Sequence, residues 1–340
     1  MSALRVLSAG PGVTAQDGGR RGYLRFGVTA AGPMDRLAHA VANLAVGNPA
    51  GAAAIEVSLG GVEATAESGP LTVAVAGGAF AVTLDGRPLP PAVRLTLEPG
   101  TALKLRAGAA GAWCYLAVAG GFDLPDVLGS SATHTRSGLG GFEGRGLRSG
   151  DLLQVAAGRQ ARQEPGAIVA PLLERRPDVI RVVMGPQDDY FADDQVAAFL
   201  AGPWKVSARS DRMATFLDGP TIAHAKGHDI VSDGVAMGAI QIPGDGRPIV
   251  LMADRQPTGG YPKIATVIGP DLGRLAQVRA GTAFRFRAIS IVEAVAARRD
   301  EAALLTRGIA FEPVIRRELS SEFLLGLNLI DGVTGDRPGD

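Results

Sequence analysis

The chain alternates short apolar runs with tight-turn signals, and this pattern restricts its fold more than any other feature of the sequence. The runs are rich in β-branched residues or alternate apolar with polar residues, and pairs such as Asp85-Gly86, Pro99-Gly100 and Gly120-Gly121 separate them. Such pairs favour the backbone angles that tight turns require. Glycine is abundant, at 47 of 340 residues, whereas aromatic residues make up only 5%. The pattern predicts a mainly β fold with a few short helices.

The predicted elements are distributed over the whole chain. The predicted strands are residues 71–75, 81–84, 93–97, 103–105, 113–118, 179–184, 205–208, 239–242, 249–253, 264–268 and 283–291. Helices are predicted for residues 34–46, before Gly47-Asn48-Pro49, for 190–200, before Gly202-Pro203, and for 271–278 with Asp271 as N-cap.

The length of the chain predicts two domains, because 340 residues exceed the usual size of one hydrophobic core. A polar stretch at residues 157–177 is the predicted link, so the domains are expected at 1–160 and 175–295. Residues 296–340 form a predicted helical and mobile tail. The two halves echo each other weakly, in Gly32-Pro33-Met34-Asp35 and Gly185-Pro186-Gln187-Asp188, and a duplication and a chance recurrence both remain open.

The charge balance argues against two classes of partner. Lys plus Arg and Asp plus Glu each number 34, so no positive surplus is present to bind nucleic acid or an acidic membrane surface. The N-terminus lacks a signal-peptide pattern, and no run of about 18 apolar residues predicts a membrane span. The cytoplasm is the expected compartment. The single cysteine, Cys114, lies in an apolar run and is predicted to be a core thiol.

Polar groups concentrate between two predicted strands, at residues 253–263. Pro257 and Pro262 stiffen this connection, and Gly259 and Gly260 allow positive φ or close approach of the backbone to a ligand. The connection contributes a carboxylate, a guanidinium, a phenol and an amine, from Asp254, Arg255, Tyr261 and Lys263. This set suits a small anionic or amide-bearing molecule. The alternative is a hairpin with a solvated tip.

Three further segments have two interpretations each. Asp211-Arg212 forms an internal ion pair that orders a loop, or it meets the Asp254 connection in space. Asp35 favours a helix N-terminus or contributes to a site. His224 and His228 have the spacing of metal ligands on a helix, but Gly227 lies between them, so structural or surface histidines are favoured and no metal site is predicted.

Common nucleotide-binding and acyl-enzyme motifs are missing. The glycine-rich stretch at residues 138–146 fails the G-x-G-x-x-G spacing because Glu143 occupies its last position. No phosphate-binding loop ending in Gly-Lys-Ser/Thr and no G-x-S-x-G turn occur in the chain. If ATP is used, it needs a partner or an unfamiliar site.

A series of colinear motifs resembles the allophanate hydrolase subunit 2-like, or KipA-type, family. The motifs are residues 11–12, 16–17, 19–20, 32–35, 42–43, 47–48, 55–56, 115–121, 128–130, 185–187, 210–213, 229–232, 238–241, 254–256 and 258–263. They span about residues 5–295. Ala15 stands where the family often has Thr or Val, and Asp233 stands where Glu is common.

The resemblance implies a fold of two related cyclophilin-like β-barrel domains. The family includes the C subunit of ATP-dependent 5-oxoprolinase, the carboxyltransferase part of biotin-dependent urea carboxylase, and a regulator of a sporulation kinase. The resemblance therefore implies partners like the B and A subunits of 5-oxoprolinase, with ATP used by the complex. Two alternatives stay open: a carboxyltransferase that uses biotin and acts on urea or a related amide, and a regulatory binding protein without catalysis.

The predicted site follows from the first of these functions. Opening the lactam of 5-oxoproline requires positive charge at the carbonyl oxygen and a group that transfers protons. The predicted catalytic residues are Lys263, Tyr261, Asp254 and Asp35. The predicted substrate-binding residues are Arg255, Gln256, Thr258, Gly259, Gly260, Ser210, Asp211, Arg212 and Asn43.

Overall fold

A computed structural model describes residues 2–156, 163–175 and 178–314. The described strands of the first half are β1 (Ala3–Ala9), β2 (Thr14–Gln16), β3 (Ala54–Val57), β4 (Val62–Ala66), β5 (Leu71–Gly77), β6 (Ala81–Leu84), β7 (Arg87–Leu89), β8 (Val93–Leu97), β9 (Leu103–Arg106), β10 (Cys114–Val118), β11 (Leu152–Gln154) and β12 (Gly166–Val169). Those of the second half are β13 (Val179–Met184), β14 (Trp204–Val206), β15 (Ala214–Asp218), β16 (Asp233–Gly234), β17 (Ala239–Gln241), β18 (Ile249–Leu251), β19 (Thr258–Gly259), β20 (Lys263–Val267), β21 (Ala283–Ala288) and β22 (Ala310–Glu312). The described α-helices are α1 (Arg36–Ala45), α2 (Asp193–Ala201), α3 (Gly269–Ala276) and α4 (Ile291–Thr306).

The first half consists of two sheets that share one apolar core. Six strands form one sheet in the order β11-β1-β4-β9-β6-β7, and seven form the other in the order β2-β3-β10-β5-β8-β12-β22. Leu4, Leu71 and Leu116 are fully enclosed in the shared core. Helix α1 packs on the opposite side of the second sheet through Ala38 and Val41. Strand β10 is therefore buried on both faces, which explains its continuous apolar sequence.

The second half closes into a seven-stranded barrel. Its strand order is β13-β20-β17-β18-β15-β14-β21, and the parallel pair of β13 and β21 completes the ring. Phe199 of α2 stacks on Phe286 of β21 with ring centroids 4.8 Å apart. The indole nitrogen of the fully buried Trp204 donates to the Phe199 carbonyl oxygen at 2.8 Å. Aromatic packing thus fills one end of the barrel core.

The mainly β prediction and the barrel implied by the family resemblance are confirmed. Each predicted strand overlaps an observed one. The predicted strand at 283–291 ends earlier, at Ala288, because Ser290 and Glu293 form a capping box that starts α4. The predicted N-cap role of Asp271 is wrong. Helix α3 begins two residues earlier, with Pro270 in its first turn, and the Asp271 carboxylate instead accepts hydrogen bonds from Arg181.

Two strands lie outside the predicted domain limits. Strand β12, in the predicted link, and strand β22, in the predicted helical tail, pair with each other, and β12 also pairs with β8 of the second sheet. The first structural unit therefore extends past residue 160, and the chain returns to it after the barrel. Helix α4 occupies the start of the predicted tail. Other parts of the predicted link and tail, at residues 157–162, 176–177 and 315–340, lie outside the described residues.

The helices that the structure describes differ from membrane spans. None of them combines the length and the apolar character that crossing a membrane requires.

Truncating the centre of β10 tests the shared core of the first half. We expect Leu116→Ala to lower the free energy of unfolding by about 2–5 kcal/mol, because it leaves a cavity in an enclosed site. Leu59→Ala, at a side chain that is 46% exposed, is the control and should change it little. Urea denaturation measures both, and equal losses would contradict the assignment of Leu116 to the core.

Candidate functional site

One enclosed arginine joins the two halves. The Nε and Nη2 atoms of Arg212 donate to the two carboxylate oxygens of Asp254 at 2.9 Å each, and Nη2 also donates to the Gly32 carbonyl oxygen at 2.8 Å. Its Nη1 atom donates to Glu56, in β3 of the first half. Arg212 is 8% exposed, Asp254 5% and Glu56 0%. The predicted meeting of Arg212 with the Asp254 connection therefore occurs, with one cation between two carboxylates.

Glu56 lies at the centre of a wider network. Its carboxylate accepts hydrogen bonds from the Met34 backbone amide at 2.7 Å and from the Tyr115 hydroxyl at 2.8 Å. Burial raises the pKa of Glu56, and the charge of Arg212 opposes this rise. Burial lowers the pKa of Arg212, but attraction to Glu56 and Asp254 outweighs that effect and leaves it above its usual value. Arg212 therefore remains charged in the junction.

Two predicted binding residues shape the turn that presents Arg212. The Ser210 hydroxyl accepts a hydrogen bond from the Phe216 amide at 3.0 Å, and the Asp211 carboxylate accepts from the amides of Met213 and Ala214. These contacts resemble the side-chain turns that Ser and Asp form with nearby backbone. Ser210 and Asp211 thus fix the loop conformation around Arg212.

A cleft of about 740 Å³ borders this junction on the side of the Ser210–Arg212 turn. This volume lies in the range of small-molecule sites. Its lining includes the apolar side chain of Met34, the aromatic one of Trp113, and the polar or charged ones of Ser210, Asp211, Arg212 and Asp254. The cleft therefore borders the first part of the connection, at Asp254.

The C-terminal end of the connection, at Tyr261 and Lys263, lies outside the lining of this cleft. The Lys263 side chain is 4% exposed, and its ammonium donates to the Asp233 carboxylate at 3.0 Å. Asp233 belongs to the two-stranded ribbon of β16 and β19, and the hydrogen bond from Lys263 lowers the pKa of its carboxyl group. Tyr261 is 40% exposed. Lys263 and Tyr261 do not line the cleft beside Arg212. The connection therefore begins at Asp254, which Arg212 holds, and ends at Lys263, which binds Asp233.

The central part of the connection is a strand rather than a free tip. Thr258 and Gly259 form β19, and neither Gly259 nor Gly260 adopts a positive φ. A Cβ atom at Gly259 would collide with the Gln241 side-chain amide. Close packing on Gln241, and not backbone freedom, is thus the reason for glycine at position 259. Gln256 is half-buried.

Arg255 is enclosed next to Asp254. It is 7% exposed, and its Nε atom donates to the Val235 carbonyl oxygen at 2.8 Å. Burial lowers the pKa of its guanidinium group, and the charge of Arg36 lowers it further.

Asp35 and Asn43 use their side chains in hydrogen bonds within the protein. Asp35 is the N-cap of α1, and its carboxylate also accepts from Arg175 at 2.6 Å and from Gln277 at 3.0 Å. The helix-capping interpretation of Asp35 is confirmed. The fully buried Asn43 donates to the Ala52 carbonyl oxygen and accepts from Asn48. Asn43 therefore fixes the loop after α1 and offers no free group to a ligand in this structure.

The two histidines and the cysteine considered in the sequence analysis occupy structural or surface positions. The ring of His224 hydrogen-bonds the Ile242 carbonyl oxygen, and His228 lies at the surface. Within the described ranges, no three His, Cys, Asp or Glu residues are grouped to bind a metal. Cys114 is buried, and burial raises the pKa of its thiol. It therefore lacks the reactive thiolate of a nucleophile.

The glycine-rich stretch at residues 138–146 is closely packed. Cβ atoms at Gly140, Gly141 and Gly144 would collide with other parts of the same loop region. The nearby Arg145 is held by Glu143 and Asp151. The glycines therefore serve close packing of the loop, and the Arg145 cation is already paired.

The sequence did not single out Glu56 or Asp233 as site residues. Glu56 is the one charged residue of the short apolar strand β3, and this isolation was the signal that could have revealed it. Asp233 is exposed and has no such signal, because its contact with Lys263 depends on the pairing of β16 with β19.

Removing the charge of Arg212 tests the junction. We expect Arg212→Met to lower the free energy of unfolding by about 3–5 kcal/mol, because two buried carboxylates lose their counter-charge. This loss should grow as pH rises from about 4 to about 7, because burial raises the pKa of Glu56 and the variant lacks the Arg212 charge that opposes this rise. Lys205→Met, at an exposed side chain, is the control. A loss that does not depend on pH, in urea denaturation across this range, would contradict the bridging role.

Comparisons with known proteins identify the family. The protein-family model described as carboxyltransferase domain, subdomain A and B, matches residues 26–288 of this chain. The chain is 39% identical over 294 residues to the 5-oxoprolinase C subunit of Haemophilus influenzae, covering 86% of this chain and 94% of that protein. It is 37% identical over 298 residues to the 5-oxoprolinase C subunit of Escherichia coli, covering 88% and 95%.

A solved structure agrees with this result. The crystal structure of Kluyveromyces lactis urea carboxylase matches with a TM-score of 0.82 and 29% identity, covering 90% of this chain and 29% of that chain. The chain described here therefore belongs to the carboxyltransferase domain family that these proteins share.

Proposed function

We propose that this chain is the C subunit of an ATP-dependent 5-oxoprolinase, which opens the lactam of 5-oxo-L-proline to L-glutamate. One observation carries the proposal. The similarity extends over 94% and 95% of two proteins that are named as C subunits of 5-oxoprolinase, whereas it covers 29% of the urea carboxylase chain.

Lys263 is the group that we propose to act on the lactam. An amide carbonyl becomes reactive when positive charge stabilises the negative charge that develops on its oxygen. The Lys263 ammonium has three N–H donors, and within the described part of the chain it makes one polar contact through them, to Asp233. Its enclosed position strengthens its interaction with a developing oxyanion. In this proposal the exposed Tyr261 and the enclosed Arg255, from the same connection, assist it.

Asp254 and Arg212 have a different proposed role. Both oxygens of Asp254 accept hydrogen bonds from Arg212, so the pair fixes the start of the connection that ends at Lys263. A group held in this way positions others more readily than it transfers a proton. We therefore assign Asp254 and Arg212 to positioning.

The proposal includes partner proteins. Chains like the B and A subunits of 5-oxoprolinase complete the complex, and ATP is consumed within it. The close packing of the 138–146 loop and the pairing of Arg145 support placing the nucleotide away from this loop.

A second candidate function is a biotin-dependent carboxyltransferase acting on urea or a related amide. The similarity to urea carboxylase favours it. Carboxybiotin would then arrive as a substrate on a partner domain and supply the carboxyl group, and Lys263 would bind an oxygen of the acceptor. A third candidate, a regulatory binding protein, requires no turnover.

The assay that separates these functions uses this chain purified together with its partners. We expect release of glutamate from 5-oxoproline that requires ATP and that neither avidin nor bicarbonate alters. Lys263→Ala should lower the turnover about 100-fold or more, because it removes a cation from the developing oxyanion. Lys205→Ala, at an exposed lysine of β14, should retain activity.

Each alternative gives a different result. Loss of activity with avidin, together with dependence on bicarbonate, would support the carboxyltransferase. A biological effect that survives Lys263→Ala in full would support the regulatory protein.

A further inference from the structure

Three arginines from distant parts of the chain converge near the N-terminal ends of two helices. Arg36 is the first residue of α1, and Arg298 lies on α4. The Nη1 atom of Arg298 lies 2.6 Å from the position of a Cβ on Gly269, the first residue of α3. Arg36, Arg298, Met237 and Gly269 line one recess of about 50 Å³.

The third arginine of this group is Arg255, which lies in the connection at residues 253–263. Its Nε atom binds the carbonyl oxygen of Val235, two residues before Met237 of the recess. Its charge interacts with that of Arg36. We refer to Arg36, Arg255 and Arg298 as the arginine cluster.

In the described part of the chain, the arginine cluster forms no salt bridge. Across the described ranges, no carboxylate lies within ion-pair distance of any of its three guanidinium groups. Arg255 is 7% exposed and yet donates one hydrogen bond to the described protein, from Nε, which leaves both Nη nitrogens for another acceptor. Arg36 and Arg298 are exposed. The described chain therefore leaves donors of all three arginines available to an anion.

The electrostatics of the recess agree with this conclusion. Surrounding protein atoms lower the pKa of Arg36, although its side chain reaches solvent, and the charges of Arg21 and Arg298 lower it further, while the charge of Glu301 opposes this lowering. Two carboxylates also line the recess. That of Asp35 is bound to Arg175 and Gln277, and burial raises the pKa of Glu301. The positive charges of the cluster therefore exceed the negative charge available to them.

We infer that the arginine cluster binds a phosphate group. Guanidinium groups match the geometry of phosphate oxygens, and a phosphate carries more negative charge than a carboxylate to balance three cations. The N-terminus of α3 adds partial positive charge at Gly269. A recess of about 50 Å³ suits a small ion and not a whole nucleotide. The site stands on these contacts alone, whereas ATP as the source of the phosphate rests on the proposed function.

Calorimetric titration of the full-length chain with inorganic phosphate, at constant low ionic strength, tests this site. We expect Arg36→Gln and Arg298→Gln each to weaken phosphate binding about tenfold, because each removes hydrogen bonds to a charged group. Arg299→Gln, next to Arg298 on the solvent side of α4, is the matched control and should bind like the unaltered chain. Arg36 and Arg298 both reach solvent, so their variants are expected to fold.

Parallel titrations with ATP and acetate identify the source. Tighter binding of ATP than of phosphate assigns the site to a nucleotide, and equal binding assigns it to free phosphate. Acetate that binds as tightly as phosphate would overturn the inference, as would no binding of phosphate or unchanged binding by both variants. The titration requires no turnover. Failure of phosphate binding with intact glutamate release would refute this site alone, and the reverse result would refute only the proposed function.

Discussion

The ion bridge from Glu56 through Arg212 to Asp254 is the interaction on which the candidate site depends. Transfer of three charges out of water costs free energy, and their mutual attraction offsets that cost only with good geometry. Here Arg212 uses its whole guanidinium fork, and Glu56 also receives the Tyr115 hydroxyl and the Met34 amide. The main result of such a bridge is a defined relative position of the two halves. That position places the connection that carries Arg255 and Lys263.

Further contacts between the halves support the same arrangement. Gln277, just after α3, binds the backbone of Trp113 through both its amide oxygen and its amide nitrogen, and Arg279 donates to the Gly108 and Gly111 carbonyl oxygens. These side chains bind part-buried backbone groups of the first half. The junction is therefore polar but internally bonded, and it holds the cleft beside Arg212 open between two rigid β structures.

Local signals in the sequence predicted much of the fold. Asp85-Gly86 forms the turn of the β6–β7 hairpin, and the helix predicted before Gly47 ends at Ala45. Long-range pairing was not visible in the same way. Strands β12 and β22 are separated by the whole barrel, and neither has a local pattern that names its partner. The N-cap of α3 was misplaced because Asp271 is a common capping residue whose carboxylate is used here by Arg181.

The sequence indicated which segment forms the site, but not how the side chains of that segment are arranged in space. The sequence indicated the connection from Asp254 to Lys263, because its polar groups and prolines are adjacent. It left open whether Arg212 meets Asp254, and it could not indicate that Lys263 faces Asp233, since both contacts depend on tertiary structure. The arginine cluster was invisible for the same reason, as its members lie on three separate segments.

Hydrogen exchange of the assembled complex, with and without 5-oxoproline, tests the central claim most directly. The claim is that the connection anchored by Arg212 is where the substrate binds. We predict slower amide exchange at residues 254–263 and in the facing β16 ribbon when the substrate is added. Protection confined to the partner proteins, with unchanged exchange in both of these segments, would contradict it.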